Sequence, residues 1–143
     1  MPRFKRLSIS APLLEGMISH ARGELPNECC GVLAGFISEN VGYAIERATI
    51  RNDLASPTRY LTNAADLFAA FRAMRANSTE LLAVYHSHPS SPPVPSRRDV
   101  QENTYGDSVV HLILGLAGEE PDLKAWWITE TGWREAELEV SQV

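Results

Sequence analysis

Hydrophobic positions along the chain fall into two periods, and the switches between them mark the elements. Residues 7–10 read as a short first strand. Leu13, Leu14, Met17, Ile18 and Ala21 then recur at helical spacing, with Ser10 as the cap, Pro12 at the second helical position and Gly23 as the expected stop. Gly16 inside that helix costs about 1 kcal/mol against alanine, which points to a close packing contact. Residues 29–36 form a short, uninterrupted apolar run dotted with glycine, as in a central strand. Residues 41–50 pair back on it as a hairpin. A loop over 51–58 leads to an expected short strand over 59–61. Asn63 caps a helix over about 64–76, with Leu67, Phe68, Phe71 and Met74 as its expected buried face. Residues 81–85 are another buried strand, and three more are expected over 109–116, 123–130 and 133–140. This order predicts an α/β chain, a mixed sheet flanked by helices, forming a single domain over 1–143.

The strand over 81–85 runs into Tyr85-His86-Ser87-His88-Pro89. A strand has a side-chain period of two, so His86 and His88 share a face and Ser87 points away. Standing alone, His-x-His is more often an ordinary strand end than a metal pair. Beyond it lies a loop holding Pro89, Pro92, Pro93 and Pro95, each fixing φ and lowering the entropy lost when the loop adopts one shape. Such a loop can return Asp99 to the histidines, and two nitrogens plus one carboxylate with a fourth position open describe a catalytic zinc site. Ser96 and Asp99 also match a helix capping box, and for Asp99 the two roles are expected to compete. Glu28, at the entrance to the glycine-marked strand, is either at a solvent edge or held at a site. His111, in the strand over 109–116, reads as an ordinary strand residue. Of Trp126 and Trp127, one must face away from the other.

Composition narrows the classes. With 143 residues, 44% hydrophobic and 22% charged, the chain is long enough for a core without disulfides. Its net charge of −5 argues against broad nucleic-acid binding. Neither a signal-peptide pattern nor a run near the roughly 20 apolar residues of a membrane span is found, so the expected location is cytoplasmic. Cys29 and Cys30 are neighbours, a strained arrangement for a disulfide, and read as reduced core thiols rather than nucleophiles.

Glu28, His86-Ser87-His88-Pro89, six residues, Ser96, two residues and Asp99 together resemble the signature of the JAMM (MPN-plus) metalloprotease family, with no departure at any signature position. The resemblance extends over nearly the whole chain. It implies the MPN fold, related to that of cytidine deaminases, and one zinc per chain on His86, His88 and Asp99 with water as the fourth ligand. Glu28 would hold that water and carry its proton to the leaving amine. Ser96 would stabilise the oxyanion. The compact chain looks more like the small bacterial members, implying a ubiquitin-like, sulfur-carrier type substrate cut after its Gly-Gly tail, at a peptide or isopeptide bond. Gly31 and Gly35 would suit a narrow groove for that tail. An exposed Trp and an edge strand near the C-terminus would support a homodimer.

Rival readings have less behind them. A catalytically silent MPN-type scaffold usually lacks ligands that are all present here. A zinc nucleobase deaminase needs His-x-Glu and Pro-Cys-x-x-Cys, neither of which occurs. Larger DNA-associated bacterial relatives carry an extra helical domain for which this chain has no room.

Overall fold

The structure, a computed structural model, describes residues 2–142. Strand β1 (Arg6–Ser10) leads into helix α1 (Ala11–Glu24), where the Ser10 hydroxyl accepts from Leu13 N. The helix runs one residue past Gly23. It ends at Leu25, whose extended ψ is what a following proline enforces. Gly16 meets its packing expectation: a methyl there would lie 3.0 Å from Arg47 Nε.

Strands β2 (Cys30–Ser38) and β3 (Val41–Ile50) form the expected hairpin. Helix α2 (Ala64–Asn77), capped by Asn63, precedes β4 (Glu80–His88). A short α3 (Arg97–Gln101) follows, then β5 (Val110–Gly115) and β6 (Asp122–Thr129). The sequence pattern suggested one strand over 133–140, but the chain makes two, β7 (Gly132–Glu135) and β8 (Glu137–Ser141). All eight lie in one mixed sheet of order β7-β6-β5-β4-β2-β3-β1-β8. Strands β7 and β8 occupy its opposite edges yet are separated by Ala136 alone, so the sheet curls until its edges meet. Ala136 is buried at that junction and its N–H donates to Ala125 O at 2.8 Å.

Two further expectations are corrected. Residues 59–61 form no strand; an isolated Asn52–Thr62 bridge stands there instead. Asn52 organises the loop with its own amide, accepting from Leu54 N and Leu61 N and donating to Arg59 O and Glu28 O. On α2 the buried residues are Ala70 and Met74, whereas Phe68 is 65% and Phe71 39% exposed. The helix meets the sheet through a stripe narrower than its apolar arc. The Phe68 ring, 100° round from Leu67, has the Arg72 guanidinium 5.5 Å from its centroid.

Gly31 lines the cavity described below, but the space a side chain would take at Gly31 and at Gly35 is already filled. A methyl at 31 would overlap the Tyr85 ring, and one at 35 would overlap the Tyr43 carbonyl beside an irregularity in the β2–β3 ladder. Gly31→Ala should therefore destabilise the fold by about 1–3 kcal/mol, since the ring it would displace is buried. An unchanged urea midpoint for that variant would show that the ring can move aside.

Candidate active site

Strand β4 lies between β2 and β5, and its final residues carry the site. His86 and His88 are buried on one face. Ser87, on the other, accepts from Cys29 N at 2.8 Å, and its own N–H donates to Cys29 O at 3.2 Å. That pair of bonds clamps β4 to the residue after Glu28. The buried thiols of Cys29 and Cys30 are pushed up to about 11 and about 12, chiefly by burial, in keeping with core residues.

The proline loop is pinned from several sides. His88 Nδ1–H donates to Pro92 O at 2.7 Å, and Trp126 Nε1–H donates to Pro93 O at 2.9 Å. Pro93 packs so close over Gly115 that a side chain there would stand 2.8 Å from Pro93 Cδ. Trp127 faces the opposite side and is buried in the core. The loop delivers Ser96 as the cap of α3, where both bonds of the capping box form. Ser96 Oγ accepts from Asp99 N at 3.1 Å, and Asp99 Oδ2 accepts from Ser96 N at 2.8 Å.

Asp99 nevertheless faces both histidines. Its Oδ1 is 3.3 Å from His86 Nε2, its Oδ2 is 3.3 Å from His88 Nε2, and the two Nε2 atoms are 3.2 Å apart. Capping and facing the histidines were expected to compete for this carboxylate. They coexist, because its two oxygens offer about four lone-pair sites. Among the described residues, His86, His88 and Asp99 are the one such group whose ligand atoms lie within 4.8 Å of one another. The donor set suits zinc: two imidazole nitrogens and one carboxylate oxygen. The Pro92 bond places the His88 proton on Nδ1 and leaves the Nε2 lone pair aimed at its neighbours.

Electrostatics reinforce the grouping. Burial acts to raise the Asp99 carboxyl, but the facing imidazoles of His86 and His88 overcome it and hold the group far below the usual range. Burial likewise disfavours the His88 cation, yet the contacts with Asp99 and Pro92 O outweigh it and raise its pKa. Glu28 is buried, and its carboxyl is pushed up to about 7, first by burial, with the His88 charge lowering it and the Asp99 charge raising it. The Glu28 backbone is fixed on both sides, its N–H donating to Ser56 O at 2.8 Å and its carbonyl accepting from Asn52 Nδ2. Ser96 itself is exposed.

Two participants escaped the sequence reading. Tyr60 stacks on the His86 ring at 4.7 Å and lines a cavity of about 430 Å³ with Cys30, Val32, Val84, Leu61 and Tyr105. It sits in an aperiodic loop, so no spacing singles it out. Trp126 reaches the proline loop from β6, a contact across 33 residues.

Comparison with known proteins agrees with this architecture. A family model described as prokaryotic homologs of the JAB domain matches residues 10–129. A CysO-cysteine peptidase from Mycobacterium tuberculosis is 32% identical over 124 residues, covering 87% of this chain and 84% of that protein. A probable TtuB-protein conjugate cleaving protease from Thermus thermophilus is 35% identical over 114 residues, covering 78% and 72%. Among solved structures, a protein from Desulfitobacterium hafniense superposes with a TM-score of 0.87 at 29% identity, over 96% of this chain and 94% of its own. A JAB1/MPN domain protein from Archaeoglobus fulgidus does so at 0.59 and 23% identity, over 94% and 99%.

Proposed function

This chain belongs to the family of prokaryotic homologues of the JAB domain, and on that premise we propose that it is a zinc-dependent peptidase or isopeptidase. Its substrate in this reading is a ubiquitin-like protein of the sulfur-carrier type, cut after a Gly-Gly tail. Relatives named as a CysO-cysteine peptidase and a TtuB-conjugate protease support a hydrolase of this kind. The observation that carries the reading is the convergence of two imidazoles and a carboxylate, 3.2–3.3 Å apart, in electrostatic contact with a buried acid whose pKa is near 7.

His86, His88 and Asp99 would hold one zinc per chain. A zinc there supplies a polarised carbonyl and a water whose pKa falls from 15.7 toward about 7. Glu28 would accept the proton of the attacking water and return it to the leaving amine. Ser96 Oγ already accepts from Asp99 N, which leaves its O–H to donate to the developing oxyanion. Tyr60 backs the His86 ring. The whole chain, 1–143, acts as one domain in the cytoplasm, with neither nucleic acid nor membrane as a partner. No helix among the described residues is long and apolar enough to cross a membrane. The exposed Trp133 on edge strand β7 offers a surface for a homodimer.

Incubation with small ubiquitin-like carriers extended past Gly-Gly, read by intact mass, tests this. Loss of the extension from at least one carrier, abolished by a chelator and restored by zinc, is the expected result. A zinc-loaded protein that processes none of them would favour a protein-binding scaffold instead.

A further inference from the structure

Two buried imidazole nitrogens have no hydrogen-bond partner, His86 Nδ1 and His111 Nε2. Neither is explained by the roles assigned so far, and an orphaned buried polar atom is costly enough to need a reason. His88 makes the contrast: its Nδ1–H is bound to Pro92 O.

The sheet brings the two orphans to one place. Strands β4 and β5 are parallel neighbours, with Val84 beside His111 and His86 beside Ile113. Val110, Leu112 and Leu114 point into the core cluster built around Tyr85, so His111 and Ile113 project to the opposite face. That is the face of Val84 and His86. On its other side His111 pairs with Trp126, the residue that pins the proline loop. His111 is therefore 4% exposed, one diagonal step from His86, on the floor of the site.

The chemistry of the pair is complementary. If His86 binds zinc through Nε2, as the proposed function holds, its proton must sit on Nδ1, a donor lacking an acceptor. A neutral His111 with its proton on Nδ1 presents Nε2 as an acceptor lacking a donor. We infer that His111 is the outer partner of His86: its Nε2 accepts the His86 Nδ1–H across one bridging water, and so orients the His86 ring toward the metal. His111 is thus a positioning residue, which acts on the reaction only through His86.

The test uses the zinc-loaded full chain. His111→Phe keeps bulk and removes the acceptor, while His111→Gln keeps an acceptor oxygen at similar reach. Zinc affinity, measured by competition with a chromogenic chelator, should fall about 10–100-fold in His111→Phe and recover most of that loss in His111→Gln. Imidazole nitrogen NMR supplies a readout independent of activity. The parent should show exchange-protected Nδ1 protons on both His86 and His88; in His111→Phe only the His86 signal should shift or vanish. Should the Phe variant fail to fold, the Gln variant and the parent spectrum still decide. An unprotected His86 Nδ1 proton in the parent, or parental zinc affinity in His111→Phe, overturns the assignment. A parent that takes up no zinc overturns the metal reading beneath it, a distinct outcome.

Discussion

Glu28→Gln should keep one zinc per chain and lose cleavage by about 10²–10⁴-fold, the usual contribution of a positioned acid–base group. The three proposed ligands remain, and the amide cannot take a proton. Metal analysis beside single-turnover cleavage separates the two effects; parental turnover in this variant would remove Glu28 from the mechanism. The same substitution carries an opposite sign for stability. In the metal-free protein the Glu28 carboxyl stands at about 7 against an ordinary value of 4.5, so the folded state binds the proton more tightly than the unfolded one. Its stabilising contribution is complete below about pH 4.5 and is lost as pH rises through 7, by roughly 3 kcal/mol in all. Metal-free Glu28→Gln should thus match the parent in urea near pH 4.5 and exceed it near pH 8. A parent that loses nothing over that interval would mean the carboxyl is better solvated than its burial implies.

Asp99→Asn should lower zinc affinity by more than the roughly 10–100-fold that an outer partner is worth, since it removes the carboxylate facing both histidines. Helix capping should suffer little, because an amide oxygen can still accept from Ser96 N. Ser96→Ala is the reciprocal case. It removes the cap hydroxyl at a cost of about 0.5–2 kcal/mol and leaves the three ligands in place. If its O–H serves the oxyanion, turnover should drop about 10²–10³-fold with zinc retained. Equal zinc loss in the two variants would mean that the capping box and the metal site form one unit that cannot be divided.

Much of this arrangement is legible in local pattern. Strand period places His86 and His88 on one face, the Ser96–Asp99 spacing announces a capping box, and Ser10 and Asn63 mark helix starts that the structure retains. Periodicity overstates the buried face of α2, because it counts apolar residues without fixing how wide a stripe the sheet covers. Phe68 and Phe71 belong to the apolar arc, yet only Ala70 and Met74 are fully buried. At Ala136 the apolar positions step by three from Trp133 before alternating through Leu138 and Val140, a single phase change that a one-strand reading over 133–140 passes over.

Residue identity and local spacing thus mark the proposed ligands, the capping pair and the stiff loop between them, for these are properties of neighbours along the chain. Which groups close around that set is a matter of strand order. Tyr60 against His86, Trp126 on the proline loop and His111 beneath the site come from 26, 33 and 25 residues away, brought in by sheet pairing and loop packing rather than by any local period. Glu28 spans both levels. Its type and place before a buried strand are visible, but its elevated pKa comes first from burial that only the tertiary structure supplies, with Asp99 adding to it and His88 opposing it.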